Sequence, residues 1–328
     1  QRSLVGSEMC IRDRVYLGII DGAVGSSRRV WVTIRETLVL LCIAIGLTPA
    51  FKMKFWNIGA EGQILMGGMA TAALMIYAGD AMPNWLLLIL IFIASAAAGL
   101  IWGLIPAVFK AYFNTNETLF TLMLNYVAMQ LVTFAIVFWE NPSGSNTVGI
   151  INAAGQKGWF PSIFGNMYGL NVIVVLIITL GMYVYMKYSK QGYEIAVVGE
   201  SQNTARYAGI NVKKVIIRTM MLSGAICGIA GCLIVSGASH TISTSTAGGR
   251  GFTAIIVAWM SKFNPFAMIL VSAFLVFMQQ GSIQIASQFG LNENASDIIT
   301  GILLFFLIGC EFFINYKLEW KKNHKEGK

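Results

Sequence analysis

The chain has 328 residues, 56% hydrophobic and only 12% charged, with a formal net charge of +8. A soluble domain carries about 25% charged residues, and a single core stops growing beyond roughly 250–300 residues, so a soluble globule of this length is excluded. The apolar residues come in long runs rather than stripes, and runs of about 20 read as membrane-spanning helices.

Residues 1–14, QRSLVGSEMCIRDR, resemble translated sequencing-adapter read-through and are set apart as a non-native segment. The native start, with one further span, is expected to be missing. Residues 15–318 read as one transmembrane domain and 319–328 as a basic tail. Within the domain, spans are predicted at 36–51, 58–78, 84–109, 117–139, 168–187, 215–237, 264–287 and 296–316. The apolar stretch Phe252 to Met260 is too short to cross a hydrocarbon core of about 30 Å. A broken or half-helix of that kind is tolerated where it is buried in protein or beside a water-filled path. The fold class is therefore all-α, a polytopic transmembrane helical bundle with about 8 full spans plus one short broken or half-helix.

The basic residues give the orientation. Lys187, Lys190, Arg206, Lys213, Lys214 and Arg218 cluster around a loop at 188–214, and Lys317, Lys321, Lys322, Lys325 and Lys328 fill the tail. The positive-inside rule places both in the cytoplasm, which makes the bilayer, and not a nucleic acid, the partner of the positive charge. Arg28, Arg29 and Arg35 then fall outside, against the rule. The five cysteines are scattered, without metal-ligand spacing. No phosphate loop, H-E-x-x-H or G-x-S-x-G motif occurs, and the two histidines, His240 and His324, have no nucleophile beside them in sequence. Neither a metal site nor an embedded enzyme is expected.

Polar residues within spans are costly and need a reason. Asn57, Glu61 and Gln63 lie together at the start of the second span, with Asn57 and Glu61 four apart on one face. Either Glu61 caps or locks a neighbouring helix, or this face lines a translocation path. Asn116 and Glu117 suit a helix start, or the path again, and Asn125 lies two turns deeper. From Ser236 to Phe252 the chain is rich in hydroxyls and glycine, with Arg250 its one strong cation. It reads either as a helix break whose amides bind a polar ligand or as an external loop tethered by Arg250. In the cytoplasmic loop, Ser201 can cap a short helix that Gly209 ends. So short a helix is unstable alone in water and needs a surface to dock on, as an element coupled to a soluble motor would have.

Four segments carry a resemblance: FWNIGAEGQ at 55–63, TNETLFTLMLNYVA at 115–128, GYEIAVVGESQNTARYAGI at 192–210 and GGRGFTAIIVAWMSKFNP at 248–265. Together they resemble the permeases of ABC importers for ribose, branched-chain amino acids and nucleosides, and within them the branch served by basic-membrane-protein-type lipoprotein receptors. The family has Gly-Leu ahead of the first segment, where this chain has Phe51-Lys-Met-Lys-Phe-Trp56. The resemblance implies a multi-pass subunit of a bacterial plasma membrane that imports nucleosides or a related simple sugar. It implies a second homologous permease, a cytoplasmic ATPase subunit that binds the ATP, so that this chain needs no cofactor, and an extracytoplasmic lipoprotein that delivers substrate. By the same resemblance Glu200, Ser201, Asn203, Ala205, Arg206, Tyr207 and Gly209 face the ATPase. Asn57, Glu61, Gln63, Asn116, Glu117, Asn125, Arg250 and Phe252 are the pathway candidates. The rival is a secondary transporter driven by an ion gradient, with Glu61 and Glu117 as coupling sites.

Overall fold

A computed structural model describes residues 15–162 and 167–290, together with 298, 300–302, 305–306 and 309–310. The segment 1–14, the tail 319–328 and most of the span expected at 296–316 lie outside the described residues. Among the described residues the regular structure is entirely helical. In chain order it comprises α1 (Val15–Val24), α2 (Ser27–Lys52), α3 (Ala60–Ala78), α4 (Asn84–Phe113), α5 (Glu117–Trp139), α6 (Gly169–Tyr188), α7 (Lys190–Glu200), α8 (Gln202–Tyr207), α9 (Val212–Ile234), a π-turn (Val235–Ser239), α10 (Arg250–Met260) and α11 (Pro265–Gln288).

Six helices among the described residues are long and apolar enough to cross a membrane: α2, α4, α5, α6, α9 with its π-turn, and α11. That is fewer than the eight predicted, for two reasons. α3 has 19 residues, but Glu61 and Gln63 in its opening turns lower its hydropathy, and 296–316 is mostly undescribed. α2 also starts nine residues earlier than the predicted 36, at Ser27.

The chain divides into two compact units, Gln1–Thr33 with Phe274–Lys328, and Ile34–Ala273. In the first, α1 packs closely on the segment after Phe274, with Gly22 against the Gln280 carbonyl and Gly281 against Ile19. Arg29 pairs with Asp21 at 2.5 Å, so one of the arginines that break the charge rule is neutralised locally.

The second unit is built on α3, α4 and α9. Small residues let helix backbones approach closely where lipid removes the hydrophobic drive to associate. A Cβ on Gly99 would meet the Gly224 carbonyl, one on Gly228 the Ser95 carbonyl, and one on Gly231 the Ile64 carbonyl. α9 is consequently buried along most of its length, from Val212 to Ile234. At one end of this core, Ala50, Met53, Phe55 and Ala107 cluster with Ile195, Val198, Ala205, Val215 and Met220, and this cluster fixes α7 and α8 to the bundle.

Candidate functional site

Between α2 and α3 the chain runs without regular structure and is held by side chains. Asn57 closes a local turn by accepting from the Gly59 amide at 3.0 Å, and its amide donates to Ser223 Oγ at 3.3 Å. Asn125 of α5 accepts from the Gly62 amide and donates to the Ile58 carbonyl, both at 2.9 Å. Thr121 accepts from the Ile58 amide at 3.2 Å. Gln63 reaches Asn57 at 3.5 Å. Asn57, Gln63 and Asn125 are all buried; Asn57 and Asn125 satisfy backbone groups outside or at the end of a helix, and Gln63 braces Asn57.

Glu61, also buried, does something different. One carboxylate oxygen accepts from the Gly249 amide at 2.6 Å and the other from the Gly251 amide at 2.8 Å. These are the free amides at the N-terminus of α10, where Gly249 sits at φ +73° and supplies no side-chain cap. A helix N-terminus carries a partial positive charge and unpaired N–H groups, and a carboxylate from another helix answers both. At its other end α10 stacks Trp259 on Trp56, with ring centroids 5.4 Å apart. The helix of 11 residues is about 16 Å long at 1.5 Å per residue, so it traverses only part of the bundle.

The segment leading into α10 starts at the π-turn, a feature frequent at functional sites. Ser236 Oγ donates to the Gly158 carbonyl, and Ile151 N donates to the His240 carbonyl at 2.8 Å. The imidazole of His240 stacks on Trp159 at 3.7 Å. Burial, with the positive charge of Arg35, holds that imidazole below its ordinary pKa and so neutral.

Beside this segment lies a polar cavity of about 250 Å³, lined by Arg35, Glu36, Ser239, Thr241, Ser243 and Arg250 among others. Glu36 sits between two guanidinium groups. Arg35 Nη2 donates to one of its oxygens at 2.5 Å, and Arg250 Nη2 and Nε donate to the other at 2.7 and 3.1 Å. Arg250 Nη1 also donates to the Thr246 carbonyl at 3.2 Å, and Arg35 lies over the Tyr168 ring at 5.2 Å. Two carboxylates from two helices, Glu36 on α2 and Glu61 on α3, therefore hold the three residues 249–251.

A family model described as the permease component of the branched-chain amino acid transport system matches residues 32–308. The chain belongs to this family. The permease is 29% identical over 295 residues to a guanosine ABC transporter permease protein of Bacillus subtilis strain 168, a match covering 89% of this chain and 84% of the relative. It is 26% identical over 312 residues to a nucleoside ABC transporter permease protein of Lactococcus lactis, covering 92% and 85%. It is 28% identical over 294 residues to a glucose ABC transporter permease protein of Haloferax volcanii, covering 86% and 76%. No solved structure gives a significant match.

The permease brings Asn57, Glu61, Gln63 and Asn125 into one buried group with the start of α10, and places Arg250 next to it. Asn116 and Glu117 are elsewhere. Asn116 caps α5, accepting from the Thr118 and Leu119 amides at 3.1 and 3.2 Å, and Glu117 pairs with Lys110 at 2.8 Å. Phe252 points away from the protein interior and is exposed.

In the loop after α6, Ser201 caps α8 by accepting from the Thr204 amide at 3.3 Å, and Gly209 takes φ +76°. Glu200, Asn203, Arg206, Tyr207 and Gly209 are exposed. Ala205 is not; it is fully buried in the cluster under the loop. It holds the exposed residues in place and presents no surface of its own. Arg218 pairs with Glu194 at 3.1 Å and ties α7 to α9.

Sequence reasoning missed Arg35 and Glu36 as members of the site. The available signal was two adjacent opposite charges near the start of an apolar run, one of them, Arg35, an arginine that violated the charge rule.

Proposed function

We propose that this permease is the translocating subunit of an ABC importer that carries nucleosides, or a related simple sugar, into a bacterial cell. The observation that carries the reading is α10, a helix too short to cross the bilayer, whose N-terminus is held by the buried Glu61 beside a hydroxyl-rich cavity. Half-helices of this kind mark midplane substrate paths in transporters, and cavities of this character suit a neutral, hydroxyl-bearing solute. The family supports ATP as the driving force, and the guanosine, nucleoside and glucose permeases among its relatives support the substrate class.

On this reading the chain crosses the bilayer about eight times, counting α3 and the segment at 296–316, and the end that carries Lys52, Lys187 and the 188–214 loop faces the cytoplasm. The exposed residues Glu200, Asn203, Arg206, Tyr207 and Gly209 contact an ATPase subunit that binds the nucleotide. A second homologous permease completes the membrane part, and an extracytoplasmic lipoprotein delivers the solute. The cluster around Asn57, Gln63 and Asn125 and the clamp of Glu36 and Glu61 form the part of the path that rearranges between two packings as the ATPase changes state. An ion-driven mechanism is less well supported, because Glu61 is engaged by two amides and Glu117 by Lys110.

The test is uptake of radiolabelled guanosine, uridine and ribose by cells expressing this chain with its neighbouring permease, ATPase and receptor genes. Nucleoside uptake abolished by an inactive ATPase is expected. Uptake that persists with the inactive ATPase would overturn the ABC mechanism.

A further inference from the structure

At the end of the bundle that carries Lys52, a cavity of about 460 Å³ opens between α2, α6 and the start of α11. Its volume is in the range of sites that hold small molecules, roughly 300–1,000 Å³, and its lining changes character with depth. On α2, Ile45, Thr48 and Lys52 line it, three positions on one helical face. Ile45 and Thr48 are buried, and Lys52 is exposed at the mouth. On α6, Met182 is buried, Met186 is half-buried and Lys187 comes at the helix end. Phe263 and Phe266 add apolar surface, and Asn264 between them adds a polar group.

The charge at the mouth has one sign. No carboxylate lines the cavity, and among the described residues neither Lys52 nor Lys187 is paired with one. Lys187 donates to Tyr183 Oη at 3.0 Å and lies within 5.3 and 5.5 Å of the Tyr183 and Tyr188 rings, which fixes the ammonium over the opening. Tyr183 in turn packs edge-on against Phe266. Tyrosines and lysines at a helix end form the interfacial belt of a membrane protein.

A cavity with Ile45, Met182 and Met186 on its walls and two ammonium groups without a carboxylate partner at its mouth matches a molecule with an apolar part and an anionic end. We infer that this groove is a binding site for an anionic phospholipid, with one acyl chain against Ile45, Met182 and Met186 and the headgroup phosphate between Lys52 and Lys187. Basic pockets between transmembrane helices hold such headgroups by the same balance of forces. Placing it in the inner leaflet rests on the orientation given under the proposed function; the binding itself does not.

The experiment uses the full chain purified in detergent, without ATP or transport substrate, so that its outcome is independent of the transport reading. Native mass spectrometry compares retention of phosphatidylglycerol and phosphatidylcholine by the wild type, by K52Q/K187Q and by M182W, which fills the slot without touching the charge. The wild type is expected to prefer phosphatidylglycerol, with the preference falling roughly fivefold per lysine removed and roughly thirtyfold in the double variant. M182W is expected to lose retention of both lipids. Equal retention of the two lipids by the wild type, or an undiminished preference in K52Q/K187Q, overturns the site. Glycerol phosphate binding as tightly as the intact lipid overturns the acyl-chain half of the assignment. A second copy of the chain retained in place of lipid, and lost in M182W, assigns the groove to a protein interface instead.

Discussion

Because α10 starts at glycines, nothing on its own segment can cap it, and the carboxylate of Glu61, 188 positions earlier in the chain, does so instead. Charge-assisted hydrogen bonds to buried groups are each worth roughly 1.5–3 kcal/mol. Glu61→Gln keeps the shape but turns an N–H donor toward one of the two glycine amides, so that amide loses its partner. The variant should be less stable by about 2 kcal/mol, read as a lower midpoint of thermal unfolding in detergent, and Glu61→Ala by at least as much; an unchanged midpoint in both would sink the capping account. The sequence left Glu61 open between locking a neighbouring helix and lining a path, because the partner amides are invisible to local pattern. Glu36 was missed for a related reason. Its meaning comes from Arg250, which is brought to it only when 248–251 folds back against α2.

At the scale of elements, hydrophobic length was the most readable feature. The stretch from Phe252 to Met260 is too short to span, and the structure shows the 11-residue α10 there. The small residues of α4 and α9 pack closely, and which glycine meets which carbonyl depends on register. The π-turn at Val235–Ser239 left no sequence signal that periodicity could detect. Gly228 is the sharpest case for a test, since an added Cβ would overlap the Ser95 carbonyl oxygen and approach Gly99 Cα at 3.0 Å. Backbone cannot move aside as a side chain does, and overpacking costs typically 1–3 kcal/mol. Gly228→Ala should therefore cost about 3 kcal/mol, and Gly228→Leu should abolish a monodisperse peak in fluorescence-detected size-exclusion chromatography. A normal peak for the leucine variant would show that α4 and α9 are not in this contact.

For the molecule as a whole, the exposed face of α7 and α8 stands on a buried cluster that includes Ala205 and Val198, so force applied to that face is passed to α2, α4 and α9 rather than absorbed by a free loop. Glu200 and Arg206 are exposed, and substitutions at exposed positions usually change stability by less than about 0.5 kcal/mol. In the assembled transporter, Glu200→Ala with Arg206→Ala should leave the unfolding midpoint near that of the wild type, lower uptake roughly tenfold and spare ATP hydrolysis. Uptake at the wild-type rate would remove this face from the coupling path. The sequence by itself determined that the chain is a helical membrane protein, where its apolar runs fall, and which segments resemble the permease family, because the cost of placing polar groups in hydrocarbon is paid locally and residue by residue. Only the tertiary structure decided what Glu36, Glu61, Asn57 and Asn125 bind. Beside the local contacts of Asn57 with Gly59 and of Glu36 with Arg35, their deciding partners lie tens to hundreds of positions away, and a buried polar group takes its role from whichever groups the packing of helices brings within hydrogen-bond reach.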